Sequence, residues 1–138
     1  MQDRFKFRIW EKVSKHMHYN DFLITATGYI AALKPLLHPD NTPYKDEFVF
    51  NQRELDFDKD NVLMQCTGLQ DKNGKLIYEG DILFYKIGSI KCREVVKWSP
   101  ERCGWIKGYQ DLSTYKKYHE VLGNIYENPE LIKDFKNE

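Results

Sequence analysis

Short runs in which apolar and polar residues alternate recur along most of the chain, and they predict strands rather than long helices. The first run extends from Phe5 to Ile9, where every second residue is apolar and the residues between are charged. Two apolar runs follow at 22–25 and 29–33, with a short link between them. They fit a hairpin, although the second run fits a helical turn equally well.

The next stretch, from Lys34 to Asp46, contains three prolines and an Asp-Asn pair. Proline lacks the amide that a strand ladder or a helix needs, so this stretch predicts a surface loop. The aromatic residues from Phe48 to Phe57 then suggest one or two short strands, broken at 51–53. We place a boundary after residue 62, between a smaller β-rich N-terminal region with a proline-rich loop, 1–62, and a C-terminal domain, 63–138.

The segment from Leu63 to Asp81 has the most specific pattern in the chain. Two apolar runs flank residues 71–74, which end in an Asn-Gly pair. This pair best tolerates the positive φ angles of a tight hairpin turn. A following glycine permits an unusual backbone angle, and the aspartate after it suits hydrogen bonds to backbone amides. We therefore predict a hairpin followed by a Gly-Asp turn, and assign structural roles to Asn73, Gly74, Gly80 and Asp81.

The C-terminal half continues this pattern. Five short strands, spaced about ten residues apart between Leu76 and Tyr126, are typical of a small barrel. At the end of the chain, Asn128 suits a helix N-cap, Pro129 suits the first helical position, and Glu130 suits the positive end of the helix dipole. The sequence therefore predicts a mainly β fold with a short C-terminal helix that plugs the barrel.

Composition limits the function classes. The chain has 138 residues, which fits one domain or a domain with a small subdomain, and its 21 basic and 21 acidic side chains cancel. A neutral chain has no overall field that attracts a polyanion or an anionic membrane. The three cysteines form no C-x-x-C pair, which argues against a disulfide framework and a zinc knuckle. With no signal peptide and no membrane-spanning run, we expect a cytoplasmic protein that has reduced thiols and does not bind membranes.

One segment departs from neutrality. Between Lys86 and Lys117 there are eight basic residues and three acidic ones, together with several aromatic residues. Small barrels bind nucleic acid strands when basic residues follow the phosphates and exposed rings stack on bases. Strand alternation would divide these charges between two faces, however, and tryptophans in so small a barrel are more often core residues. The candidate nucleic-acid-binding residues are Lys91, Arg93, Lys97, Arg102, Trp105 and Lys107.

Other constellations favour structural roles over chemistry. Residues 56–60 begin like a calcium-binding EF-hand loop, but position 6 is Asn61 and position 12 is Thr67, where the motif needs Gly and Glu. His16 and His18 would share one face of a strand as half of a metal site, but no neighbouring pattern completes it. Glu79 and Asp81 are better explained by the turn than by acid-base catalysis. We therefore expect no catalytic residues, no metal and no cofactor.

Five groups of residues, taken in order, carry a family resemblance: KFRIW at 6–10, Met17, LMQCTGLQDKNGKLIYEGDIL at 63–83, VVKW at 95–98 with RCG at 102–104, and VLGNIYENPEL at 121–131. Together they resemble the YopX family of phage and prophage proteins. The stretch from Asn20 to Asn61 departs from that pattern. The resemblance implies an SH3-like barrel in the C-terminal half, an origin in a phage, prophage or other mobile element, and a role inside the bacterial host cell. It supplies no catalytic residues.

Two hypotheses of function follow. The first is a non-enzymatic binding or assembly module, because no catalytic constellation is complete and the edges of a small barrel need covering. Its partner would be a second copy of the chain, forming a homo-oligomer, or a host or phage protein. The second is a nucleic-acid-binding accessory protein that uses the basic and aromatic segment 86–117. A hydrolase or transferase has no site that the sequence identifies, and neither has a small-molecule substrate.

Overall fold

The computed structural model describes residues 3–19, 22–24, 30–37, 43–55, 61–114 and 116–133. The chain forms two compact units. One consists of Met1–Phe7 with Met64–Glu138, and the other of Arg8–Leu63. Strands make up most of the described residues, and one short α-helix lies near the C-terminus, so the mainly β prediction is confirmed. Closure into an SH3-like barrel stays a prediction.

In the Arg8–Leu63 unit the strands pair in two groups. Strand β1 (Phe7–Glu11) pairs with β2 (His16–His18) in antiparallel register, with Trp10 opposite Met17. Strands β3 (Phe22–Ile24), β4 (Ile30–Leu37) and β5 (Pro43–Leu55) form an antiparallel sheet in that order. The second apolar run is therefore a strand and not a helical turn.

The structure differs from the sequence prediction at residues 34–37 and 43–55, whereas residues 38–42 and 56–57 lie outside the described residues. In place of a surface loop from Lys34, β4 continues to Leu37, and β5 begins at Pro43 and runs without a break to Leu55. Prolines fit a sheet at the first residue of a strand and at bulges. Pro43 is the first residue of β5, and the β4–β5 register shifts between Pro35 and Leu37. The expected break at 51–53 is another bulge in that ladder.

Among the described residues of the other unit there are seven strands and one α-helix. Strand β6 (Asn61–Gln70) forms a hairpin with β7 (Leu76–Tyr78). A five-stranded antiparallel sheet has the order β11-β10-β9-β8-β12. The bounds are β8 Asp81–Ile87, β9 Ile90–Ser99, β10 Gly104–Lys107, β11 Gln110–Asp111, β12 Glu120–Asn124 and α1 Glu130–Lys133.

Strand alternation gives the five-stranded sheet two different faces. One face, which we call the inner face, carries Leu83 and Val96, and these pack with Ile77 and Leu112 in a fully buried cluster. The partly buried Leu69, Trp105 and Val121 pack against this cluster. The opposite or outer face carries Phe84, Arg93 and Lys97, which are half-buried or exposed. The cluster therefore lies on the inner face of the sheet, while Ile82 is fully buried on the outer face near the start of β8.

The loop between β6 and β7 is organised by one buried carboxylate. Asp71 Oδ1 accepts hydrogen bonds from the amides of Asn73 (2.8 Å) and Lys75 (2.9 Å), and the Gly74 amide donates to the Asp71 carbonyl (3.0 Å). Gly74 has a φ of 81°, whereas Asn73 keeps a negative φ. The turn therefore needs one residue in the left-handed region rather than an Asn-Gly pair there.

Asp71 also covers the edge of the five-stranded sheet. Its second oxygen, Oδ2, accepts a hydrogen bond from the Val121 amide of the edge strand β12 at 3.0 Å. The Lys72 amide donates to the His119 carbonyl (2.8 Å), and Lys72 Nζ pairs with the Glu120 carboxylate (2.6 Å). Polar groups of an uncovered edge strand are ready to pair with another chain. Here the hairpin loop occupies several of them.

The Gly80-Asp81 turn joins β7 to β8. Gly80 has a φ of 83°, its amide donates to the Val96 carbonyl, and its carbonyl accepts from the Ile125 amide. The buried Asp81 carboxylate accepts a hydrogen bond from the Tyr78 amide at 2.8 Å. This turn thus connects β7, β9 and the segment after β12.

We expect Gly80→Ala to lower the free energy of unfolding by roughly 2 kcal/mol, because a left-handed alanine costs about 1–2 kcal/mol and its methyl group would also be crowded. An added Cβ would lie 3.3 Å from Met64 Sδ. Gly74→Ala is the matched control, since Gly74 has nearly the same φ and open space around the Cβ position. It should lose roughly 1 kcal/mol. Urea denaturation measures both, and equal losses would show that the contact with Met64 has no cost.

The C-terminal helix lies outside the core. Leu131 and Ile132 are half-buried, and none of the described residues of α1 is fully buried. Arg93, on the outer face, donates to the Leu131 carbonyl at 3.1 Å. The helix therefore meets the outer face and does not plug the sheet from its inner, core-bearing side. Asn128 Oδ1 accepts from the Asn124 amide, and the Asn128 carbonyl accepts from the Leu131 amide.

Candidate binding surface

Three of the six candidate binding residues lie on one face. Lys91, Arg93 and Lys97 alternate along β9 and point to its outer face. With a rise of about 3.3 Å per residue, Lys91 and Lys97 are about 20 Å apart along the strand. Lys91 and Lys97 are exposed, whereas Arg93 is half-buried by its contact with α1.

A fourth basic residue joins this row. Lys86 of β8 lies directly opposite Lys91 of β9, so both side chains point to the outer face, and both are exposed. Like charges directly opposite each other on neighbouring strands destabilise a sheet. Among the described residues, no carboxylate forms an ion pair with Lys86, Lys91 or Lys97. We call these three residues, together with Arg93, the basic row.

Lys86 was absent from the six candidates. A hairpin register through Gly88-Ser89 would have identified it, because that register sets Lys86 against Lys91. The basic residues alone do not give this register. The turn between the two strands must be located first.

The other three candidates lie elsewhere. Arg102 is in the turn after β9, where its guanidinium pairs with Asp111 of β11 at 3.1 Å. Trp105 packs against the core cluster on the inner face and meets Trp98 edge to face, with ring centroids 5.3 Å apart. Lys107 is 1% exposed on the inner face. The structure therefore does not bring all six together.

The buried ammonium group of Lys107 makes its contacts within the protein. Its Nζ donates to the Thr114 carbonyl at 2.8 Å and makes longer contacts with Gln110 Oε1 (3.3 Å) and the Asp111 carbonyl (3.4 Å). The ammonium also lies 4.9 Å from the centroid of the buried Tyr85 ring. Burial lowers the pKa of Lys107, although Glu94 partly offsets this. Lys107 thus ties the β10–β11 hairpin to the following loop.

His119 completes a buried polar cluster with Tyr85 and Lys107. The His119 ring is 0% exposed and packs edge to face on Tyr85, at 5.3 Å between centroids. Neither ring nitrogen has a hydrogen-bond partner among the described residues. Burial and the nearby charge of Lys107 lower the pKa of His119 to about 4. The Thr114 carbonyl, which already accepts from Lys107, offsets this only in part. A neutral imidazole with no access to solvent fits a packing role better than catalysis.

The other side chains that the sequence suggested for metal binding or acid-base chemistry have structural contacts. His18 Nε2 lies 3.0 Å from Glu11 Oε2, and the His16 ring packs edge to face on His18. Within the described part of the chain, no group of three or more His, Cys, Asp or Glu side chains is arranged to hold a metal ion. The Asp81 carboxylate accepts a backbone hydrogen bond within its own turn. The EF-hand-like residues 56–60 lie outside the described residues.

An open cleft of about 520 Å³ lies beside the β6–β7 hairpin. Gly68, Leu69, Gln70, Asp71, Asp3 and Lys117 line it. The Asp71 carboxylate already accepts three backbone hydrogen bonds, which together outweigh its burial and lower its pKa. These hydrogen bonds make Asp71 unsuited to acid-base chemistry at neutral pH.

A family model described as YopX protein matches residues 6–133. The chain is 28% identical to the crystal structure of protein EF1440 from Enterococcus faecalis, with a TM-score of 0.55, covering 92% of this chain and 96% of that one. Protein yopX from Bacillus subtilis has the same fold at 22% identity and a TM-score of 0.59, covering 93% and 98%. No curated protein matches significantly. In the described part of the chain, no helix has the length and apolar character needed to cross a membrane.

Proposed function

This chain belongs to the YopX family, and on that premise we propose that it is a non-enzymatic binding module that contacts nucleic acid through the basic row. The observation that carries the proposal is the pair Lys86 and Lys91. Two exposed lysines lie directly opposite each other, with no carboxylate partner among the described residues. Such a pair destabilises the free sheet, and a phosphate backbone would remove that cost.

The order of the charges supports the same function. Lys91, Arg93 and Lys97 follow one strand, and Lys86 lies beside the first of them. Segment 82–93 contains no acidic residue. Lysines on one sheet face that have no carboxylate partner among the described residues provide local attraction for a polyanion, even though the chain as a whole is neutral.

Self-association through the sheet edges has less support. The edge strand β12 is already engaged by Asp71 and Lys72 at Val121, His119 and Glu120, and β11 is only two residues long. Short and covered edges are the usual protection against pairing with another chain. Exposed aromatic residues such as Tyr109, which is 94% exposed, would have to supply an assembly contact. A homo-oligomer or a complex with a host or phage protein is therefore the second candidate function.

The setting is part of the proposal. The family resemblance supports an origin in a phage, prophage or other mobile element and a cytoplasmic role in the host. Both solved structures described above come from bacterial species.

Salt dependence tests the proposal. A protein that contacts phosphates through lysines loses affinity linearly on a log-log scale as salt rises, and removing one such lysine lowers the slope by about one. We expect Lys91→Gln to have this effect, and Lys86→Gln to match it. Fluorescence anisotropy with labelled DNA at several salt concentrations measures both.

Lys75→Gln is the matched control. Lys75→Gln removes the same charge as Lys91→Gln, and Lys75 is also exposed. Lys75 lies in the β6–β7 hairpin loop, however, and not on the outer face. If Lys75→Gln and Lys91→Gln lowered the slope equally, the basic row would not be the contact surface. Absence of DNA and RNA binding at low salt would exclude the function altogether.

A further inference from the structure

The β8–β9 hairpin extends beyond the strands beside it. Strand β12 pairs with β8 only as far as Phe84, and β10 pairs with β9 only from Val96 to Ser99. The β8–β9 pairing continues past both to Ile87 opposite Ile90. Among the described strands, none flanks this end of the hairpin. We call residues 86–91 the arm.

The two faces of the arm differ in chemistry. Lys86 and Lys91 form a pair on its outer face, and Ile87 and Ile90 form a pair on the other face. Ile90 is 65% exposed, although an isoleucine of a soluble protein is usually buried. Gly88 at the tip has a φ of 60° and nothing within 4 Å of its Cβ position. The arm is therefore narrow at its tip, basic on one face and apolar on the other.

The dimensions of the arm match a groove of double-stranded DNA. From Phe84, the last residue of β8 that β12 flanks, to Ile87 there are three residue steps, or about 10 Å. Two paired strands are about 4.8 Å apart before side chains are added. The major groove is about 12 Å wide and 8.5 Å deep and admits a two-stranded ribbon, whereas the minor groove is about 6 Å wide.

We propose that the arm enters the major groove of double-stranded DNA, with Lys86 and Lys91 on the phosphates of one wall and Ile90 on the base edges. This inference rests on the proposed function and adds the class of nucleic acid and the element that reads it. The major groove also carries the thymine methyl group, which is its apolar contact point. Ile90 is the exposed apolar side chain of the arm that meets this group.

The test compares a mixed-sequence duplex, the same duplex with uracil in place of thymine, and one of its single strands. Binding of the full chain is followed by anisotropy at several salt concentrations. We expect the duplex to bind more tightly than the single strand. We also expect Ile90→Ser to weaken duplex binding roughly fivefold with an unchanged salt slope, because it removes about 1 kcal/mol of apolar contact and no charge. Replacing thymine with uracil in the duplex should weaken binding of the unmodified protein and leave the affinity of the Ile90→Ser variant unchanged.

Val13→Ser is the matched control, because Val13 is also an exposed apolar residue, 76% exposed, in the turn between β1 and β2. It should bind as the unmodified protein does. The inference is overturned if Ile90→Ser and Val13→Ser bind the duplex equally well, or if single-stranded and double-stranded DNA bind with equal affinity. The proposed function still holds in that case if the salt slope is steep and Lys91→Gln lowers it. Loss of that slope sensitivity would instead remove the proposed function itself.

Discussion

Asp71→Ala is expected to lower the free energy of unfolding by about 3 kcal/mol. The carboxylate accepts three backbone hydrogen bonds, from Asn73, Lys75 and Val121, and a hydrogen bond to a charged group contributes about 1.5–3 kcal/mol. The total is smaller than the sum, because Asn73 and Lys75 are exposed and their amides can bind water after the change. Urea denaturation at neutral pH measures the loss.

Two variants make this prediction specific. Asp71→Asn keeps one acceptor oxygen and should lose less stability than Asp71→Ala. Asp111→Ala removes an exposed carboxylate whose ion pair with Arg102 contributes at most about 1 kcal/mol. A loss for Asp71→Ala no larger than that for Asp111→Ala would contradict the central role of Asp71 in the hairpin loop.

Acid should destabilise the protein through His119 in a defined pH window. The pKa of His119 is lowered to about 4 in the folded protein, against 6.5 for an ordinary histidine. A lowered folded-state pKa means that the unfolded chain binds the proton first, so stability is complete above pH 6.5 and falls as the pH drops toward 4. The difference of 2.5 pH units corresponds to about 3 kcal/mol. Urea denaturation at a series of pH values measures this fall.

His119→Leu is the test variant, because leucine is close to histidine in volume and cannot be protonated. The ring nitrogens of His119 form no regular hydrogen bond in the described structure, and the Thr114 carbonyl near them still accepts from Lys107, so their removal leaves no group without a partner. We expect the stability difference between the two proteins to change by about 3 kcal/mol in favour of the variant between pH 6.5 and pH 4. Asp71, whose pKa is also lowered, loses its contribution only at lower pH, as the pH falls through its own folded-state pKa. Parallel curves for the two proteins between pH 6.5 and 4 would refute a buried neutral His119.

The sequence predicts the strands of the C-terminal half well because their apolar alternation, glycines and turn residues agree with each other. It fails at residues 34–37 and 43–55, where prolines indicated a loop. The β4–β5 pairing tolerates Pro35 at a bulge and Pro43 at the start of a strand. Such tolerance depends on the partner strand, which local composition does not reveal.

The candidate surface shows a similar limit. The basic excess in segment 86–117 is visible in the sequence, and alternation along β9 correctly groups Lys91, Arg93 and Lys97. The burial of Lys107 is not predictable in this way, since it depends on the acceptors of a loop that follows it by several residues. Asp71 likewise looks like an ordinary turn residue until Val121 is known to lie beside it.

The contact between Asp71 and Val121 also determines when folding can finish. The two residues are 50 positions apart, so the ribosome completes the whole β6–β7 hairpin long before it supplies the amide that this carboxylate accepts. Contacts between distant positions form late, because closing a long chain segment costs entropy before any bond forms. A nascent chain that stops before β12 would therefore present the hairpin loop with one carboxylate oxygen lacking its partner, and the edge of β8 open. The sheet can therefore be completed only after Val121 has emerged from the ribosome.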